Sequence, residues 1–145
     1  MQYRQSAIIV DIDGTLARHP QRGHHEYAKV FTDEPVQPII DLVLLFDAMV
    51  DCVLFVSGRP DSCREDTINW IEKFMPNVSI DNDFYYLFMR KTGDYRKDDI
   101  VKKEIYDNEI KDKFVVYYVV DDRNRVVAMW RSLGLTVLQV ADGDF

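Results

Sequence analysis

Strand-like and helix-like apolar segments alternate along the whole 145-residue chain, and this alternation predicts an α/β fold, a doubly wound parallel sheet covered on both faces. Two further observations agree. Runs such as Ile8-Ile9-Val10 and Cys52-Val53-Leu54-Phe55-Val56 are continuously apolar, as strands buried on both faces require. Several runs also end on Asp, Ser, Gly or Arg, residue types suited to ligands that bind outside the carboxyl ends of parallel strands.

The first strand covers 7–10 and stops at Asp11-Ile12-Asp13-Gly14-Thr15, where Gly14 permits a sharp turn. The stretch 18–38, with its prolines, glycine and charges, reads as an irregular loop over the active face. A helix is expected over 38–50, a strand over 52–56 that ends in Ser57-Gly58-Arg59, and a helix over 61–74. The next strand, 84–89, contains Phe84-Tyr85-Tyr86-Leu87-Phe88, for which burial in the sheet is favoured over stacking on bases. Asp98 has the character of an N-cap for a helix over 98–110. A strand over 114–120 ends in Asp121-Asp122-Arg123, a helix over 123–133 closes at Gly134, and a last strand covers 136–140. No repeat, low-complexity tract or linker divides the chain, so a single domain of 1–145 is expected.

With 47% hydrophobic and 30% charged residues, the composition is that of a soluble globular protein. Cys52 and Cys63 make no metal-type spacing, so a reducing compartment, and hence a cytoplasmic location, is expected. No signal-like N-terminal pattern and no membrane-length apolar run is present, so no membrane partner is expected. A formal net charge of −7 argues against tight non-specific binding along a nucleic-acid backbone, while leaving a nucleic-acid end open as substrate. Arg18, His19, Arg22, His24 and His25 offer one local positive wall, but the histidine spacing matches no metal pattern and reads as a solvated loop.

The chemistry concentrates at the strand ends. Extended backbone turns alternate side chains to one face, so Asp11 and Asp13 converge if the strand geometry persists. Converging carboxylates repel unless a cation lies between them, and an all-oxygen site suits Mg²⁺. The calcium-loop alternative fails, because it needs Asp or Asn where Thr15 stands. Ser57, Gly58 and Arg59 suit a phosphate oxygen, and Asp121 with Asp122 suits the metal. Lys102 lies four residues after Asp98, on a shared helix face and beside the apolar line of Val101 and Ile105; Lys97 is the competing cation.

The ordered set Asp11-x-Asp13-Gly14-Thr15, Ser57-Gly58-Arg59, Lys102 and Asp121-Asp122 resembles the four motifs of the haloacid dehalogenase superfamily of aspartate-nucleophile phosphatases. Arg22-Gly23, the segment 93–105, Val127-x-Met129-Trp130-Arg131 and Gly143-Asp144-Phe145 extend the likeness to the 3'-phosphatase domain of the T-even phage polynucleotide kinase-phosphatase. The resemblance implies a Rossmann-like fold with a minimal cap and a two-step mechanism. Asp11 would be the nucleophile and Asp13 the acid and base. Mg²⁺ would be held by Asp11, the Asp13 main-chain carbonyl and the Asp121-Asp122 pair, with Asp122 favoured over Asp121 for the direct contact. Ser57 and Lys102 would hold the transferring oxygens, Asp98 would orient Lys102, and Arg22 and Arg59 would clamp the substrate phosphate or its flanking backbone.

The implied substrate is a 3'-phosphorylated DNA or RNA end, with a 2',3'-cyclic phosphate as a further candidate. A nucleotidase or small-molecule phosphatase of the same superfamily is the alternative, and a non-catalytic phosphate-binding module is the alternative from another class. No G-x-x-x-x-G-K-[ST] loop is present, so 5'-phosphorylation is not expected. A separate kinase or ligase is a candidate partner, and an oligomer is compatible with the weaker likeness over 59–94.

Overall fold

Strands joined by helical crossovers pair in parallel, and the computed structural model, which describes residues 3–145, is built on such a sheet. In chain order the strands are β1 (Gln5–Val10), β2 (Ala17–Arg18), β3 (Glu34–Pro35), β4 (Cys52–Pro60), β5 (Tyr85–Arg90), β6 (Phe114–Asp121) and β7 (Val137–Gln139). The α-helices are α1 (Gln37–Asp47), α2 (Arg64–Phe74), α3 (Asp98–Ile105) and α4 (Asn124–Ser132). The main sheet has five strands in the order β5-β4-β1-β6-β7, every pair parallel.

Side-chain alternation on β1 divides the interior in two. Ile8 and Val10 enter one core with Ile40 and Val43 of α1 and Trp70 and Ile71 of α2. Ala7 and Ile9 enter the other with Val126, Val127 and Trp130 of α4. Helices therefore cover both faces, as the alternating pattern requires. Val10 pairs in register with Phe55 of β4 and Val120 of β6, so three strand ends reach one level.

Several boundaries differ from the sequence reading. The stretch 18–38 is not wholly irregular: β2 pairs antiparallel with β3, and Tyr27–Thr32 forms a 3₁₀ helix whose one buried residue is Val30. The helix expected over 61–74 opens as a 3₁₀ turn, Asp61–Cys63, before α2. The helix expected over 98–110 ends as α-helix at Ile105 and continues as a π turn, Tyr106–Ile110, whose wider pitch resets the phase and leaves Ile110 fully buried. Lys97 occupies the N-cap position and Asp98 is the first helical residue, because the Asp98 carboxylate is engaged by Arg90 and Arg123.

The aromatic strand is covered only in part. β5 lies at a sheet edge, where Leu87 is buried, Phe84 is exposed just before the strand, and Tyr86 and Phe88 stack on each other. Among the described residues, no helix is long and apolar enough to cross a membrane.

Candidate active site

Beyond Val10 the chain continues outward for three residues. Ile12 stays in the core while Asp11 and Asp13 turn away from it. Gly14 then takes φ +81, and the turn closes through hydrogen bonds from Gly14 N–H to the Ala17 carbonyl and from Thr15 N–H to the Ile12 carbonyl. The turn delivers Thr15 under the site, where its hydroxyl donates to Asp11 Oδ2 at 2.9 Å.

The other Asp11 oxygen, Oδ1, accepts from Lys102 Nζ at 2.7 Å. The same ammonium lies 3.1 Å from Asp121 Oδ2, which also accepts from the Trp130 indole N–H. Asp121 Oδ1 receives the Asp122 backbone N–H at 2.8 Å. Asp11, Asp121 and Asp122 are all buried, and each offers a carboxylate oxygen within 4.8 Å of the others. Burial, and after it the charge on Asp121, raises Asp11 well above the usual carboxylate value, although Lys102 opposes this. Burial followed by the Asp121 charge also raises Asp122. For Lys102, burial alone would lower the affinity for its proton, but Asp11 and Asp121 outweigh it and keep the group an ammonium.

One ammonium faces three carboxylates, which leaves the cluster short of positive charge. A hard divalent cation with oxygen ligands fits that deficit, and the donor set suits Mg²⁺. Gly14 matters here as well, because a Cβ at this position would lie 2.1 Å from Asp122 Oδ2. Gly14→Ala is therefore expected to displace Asp122 and lower phosphatase turnover by about 10²-fold, with near-native circular dichroism. Turnover within a few-fold of wild type would contradict the packing.

Asp13 belongs to a second network, and its carboxylate stands outside the cluster of three. Arg59 donates to it from Nε at 3.0 Å and Nη2 at 2.7 Å, and Arg22 from Nη2 at 3.1 Å. Both guanidinium groups also reach Asp33, Arg22 Nε at 2.7 Å and Arg59 Nη2 at 2.7 Å. Arg59 Nη1 donates to the Thr67 hydroxyl, and Trp70 holds the Asp33 main-chain carbonyl. Burial alone would raise Asp13, but its hydrogen bonds and ion pair with Arg59, and then Arg22, outweigh it and hold the carboxyl below its ordinary value.

A profile of the phosphatase domain of polynucleotide kinase PNKP matches residues 5–145. The chain belongs to that family. It is a haloacid dehalogenase phosphatase of the PNKP type. A protein of Autographa californica nuclear polyhedrosis virus, provisionally named a bifunctional polynucleotide kinase/RNA ligase, is 36% identical over 137 residues, which is 92% of this chain and 19% of the relative. A chain in the structure of the Pnkp1/Rnl/Hen1 RNA repair complex superposes with a TM-score of 0.89 at 36% identity, covering 98% of this chain and 44% of its own length. A second structure of the Pnkp1/Rnl/Hen1 complex gives a TM-score of 0.88, covering 98% and 48%. The chain thus spans about a fifth of the viral relative and less than half of the superposed chains.

Within this PNKP-type phosphatase, Asp11, Asp13, Gly58, Asp98, Lys102, Asp121 and Asp122 line one cleft at the strand ends, joined by His24, Tyr27, Arg123 and Phe145. Two expected roles need correction. Arg22 and Arg59 have no exposed side-chain surface, donate to Asp13, Asp33, Thr67 and main-chain carbonyls, and do not line the cleft, so the structure does not place them where a phosphate clamp was expected. Asp98 does not hydrogen-bond Lys102; it binds Arg123 at 2.8 Å and Arg90, while Lys102 is oriented by Asp11 and Asp121.

Gly58 leaves room for that Asp98 carboxylate, which would sit 2.7 Å from an added Cβ. Ser57 is buried at the end of the apolar part of β4, and its Oγ accepts the Arg59 N–H, which leaves the hydroxyl proton free to donate. Asp33 was not foreseen as a site residue, since a carboxylate within Thr32-Asp33-Glu34 carries no local sign of its two arginine partners. Thr15, Arg123 and Phe145 lie within the sequence motifs, and the structure adds their contacts: Thr15 with Asp11, and Arg123 with Asp98 and the Phe145 ring.

Proposed function

We propose that this chain removes the 3'-phosphate from polynucleotide ends through an aspartyl-phosphate on Asp11. The carrying observation is the separation of the two aspartates: Asp11 sits between Thr15 and Lys102 beside the acidic cluster, whereas Asp13 is held apart by Arg59. In the first step an Asp11 oxygen attacks phosphorus, the bond to the sugar 3'-oxygen breaks, and Asp13 gives that oxygen a proton. In the second, Asp13 takes a proton from water as the water oxygen attacks phosphorus, which breaks the Asp11–phosphorus bond, frees inorganic phosphate and restores the proton that Asp13 gave, the first one being drawn from solvent.

Lys102 and the Ser57 hydroxyl are suited to hold transferring oxygens. Arg59 and Arg22 favour ionised Asp13 in the resting site; an arriving phosphate dianion raises the proton affinity of that carboxyl and prepares it as the acid. Asp11, Asp121, Asp122 and the Asp13 main-chain carbonyl would hold Mg²⁺, whose charge would offset repulsion between nucleophile and phosphate.

The cleft is part-open to solvent and offers ≈ 40 Å³, about three times the roughly 10–15 Å³ that a single water needs. That space suits a phosphoryl group and leaves the nucleoside outside, which supports a polymer end over an engulfed small metabolite. The kinase/RNA ligase relative and the RNA repair complex support a kinase or ligase acting on the same ends, and favour RNA among them.

The test is phosphate release with Mg²⁺ from matched oligonucleotides bearing 3'- or 5'-phosphate and from a free 3'-mononucleotide. Release confined to the 3'-phosphorylated oligonucleotide is expected, abolished by a chelator. Mg²⁺ should also raise the thermal unfolding midpoint, because it binds a folded-state cluster. Release from the 5' end, or equal turnover of the mononucleotide, would overturn the reading.

A further inference from the structure

Phe145 lines the cleft and is 60% exposed, so the ring presents apolar surface at the mouth of a charged site. One face of it lies over Arg123, whose guanidinium carbon is 4.4 Å from the ring centroid. Arg123 is itself held by Asp98. The segment that carries the ring is closely fitted: Gly143 O accepts the Asn124 N–H at 2.9 Å, and a Cβ on Gly143 would lie 1.9 Å from the Asp122 main-chain oxygen. Phe145 N–H in turn donates to Gly143 O at 2.9 Å. The ring is thus fixed to the same strand end that carries Asp121 and Asp122, with much of its surface open to solvent.

A cavity sized for a phosphoryl group leaves the attached nucleoside at the cleft mouth, and every base has an apolar π face. We propose that Phe145, backed by the Arg123 guanidinium, is the stacking platform for the base of the terminal nucleotide. This rests on the polynucleotide 3'-phosphatase reading above and adds the residue that recognises the nucleoside. Ring stacking tolerates any base, so the platform supplies affinity without sequence preference. The Arg123 charge beneath the ring also keeps a cation near the phosphate.

The experiment is a cycle between protein and substrate. Phe145→Ala and Phe145→Trp are compared with wild type on a 3'-phosphorylated oligonucleotide and on the same oligonucleotide with an abasic terminal sugar, with acetyl phosphate as a third substrate. The expected result is a KM raised about tenfold for Phe145→Ala on the base-bearing end, less than about threefold on the abasic end, and near-wild-type KM for Phe145→Trp. Equal losses on both ends would overturn the platform and leave Phe145 a structural clamp on Arg123; no loss on either would overturn it too. Wild-type turnover of acetyl phosphate but of neither oligonucleotide would instead overturn the polynucleotide reading on which it rests.

Discussion

Asp11→Asn is expected to lower phosphate release by at least about 10³-fold while leaving a cooperatively folded protein. An amide is a poor nucleophile, and the nucleophile cannot be replaced by groups that only position or stabilise. The fold should tolerate the change, because Asn keeps the shape and Lys102 retains Asp121 at 3.1 Å. The size of the stability effect follows from the electrostatics. Burial and Asp121 push the Asp11 carboxyl upward, so its charge costs stability above the free carboxylate range, while its pairing with Lys102 restores some; losing both together should shift the unfolding midpoint little without Mg²⁺. The midpoint rise on adding Mg²⁺ should shrink, since two carboxylates of the cluster remain where there were three. Turnover within tenfold of wild type would remove Asp11 from the nucleophile role.

Arg59→Ala should produce the largest loss of stability, about 3–5 kcal/mol in urea unfolding. Its guanidinium joins Asp13, Asp33 and Thr67, and the Arg59 and Asp33 side chains have no solvent exposure. Removing it leaves Arg22 alone to balance two buried or part-buried carboxylates. Arg59→Lys should restore only a fraction, because a single ammonium cannot span three acceptors as a planar fork does. A loss below about 1 kcal/mol would mean that solvent screens the network as it does an exposed pair.

The sheet was legible because it rests on local periodicity, whereas the same periodicity predicted Asp11 to converge with Asp13 and the structure groups Asp11 with Asp121 and Asp122 instead. Continuous apolar runs marked β1, β4 and β6, their polar ends fell at one level, and helical phase placed Lys102 beside Val101. Roles that depend on long-range partners were not legible. An Arg is an equally good partner for phosphate and for carboxylate, and nothing near Arg59 in the chain reveals that Asp33, 26 residues away, and Asp13, 46 residues away, take its donors.

Asp98 and Lys102 have the spacing of a surface ion pair, yet packing draws Lys102 inward to Asp11 and leaves Asp98 to Arg123. The π turn after α3 is similarly invisible to a 3.6-residue period, since it breaks that period to seat Ile110.

β1 is the central strand, paired on both sides, with Ala7, Ile8 and Val10 wholly buried. Fraying of the outer strands β5 and β7 leaves its two ladders intact, so the backbone that aims Asp11 opens only in the rarest excursions of the molecule. Catalytic competence is thereby tied to the global unfolding equilibrium: a population that still turns over phosphate is a population whose innermost cooperative unit has not come apart.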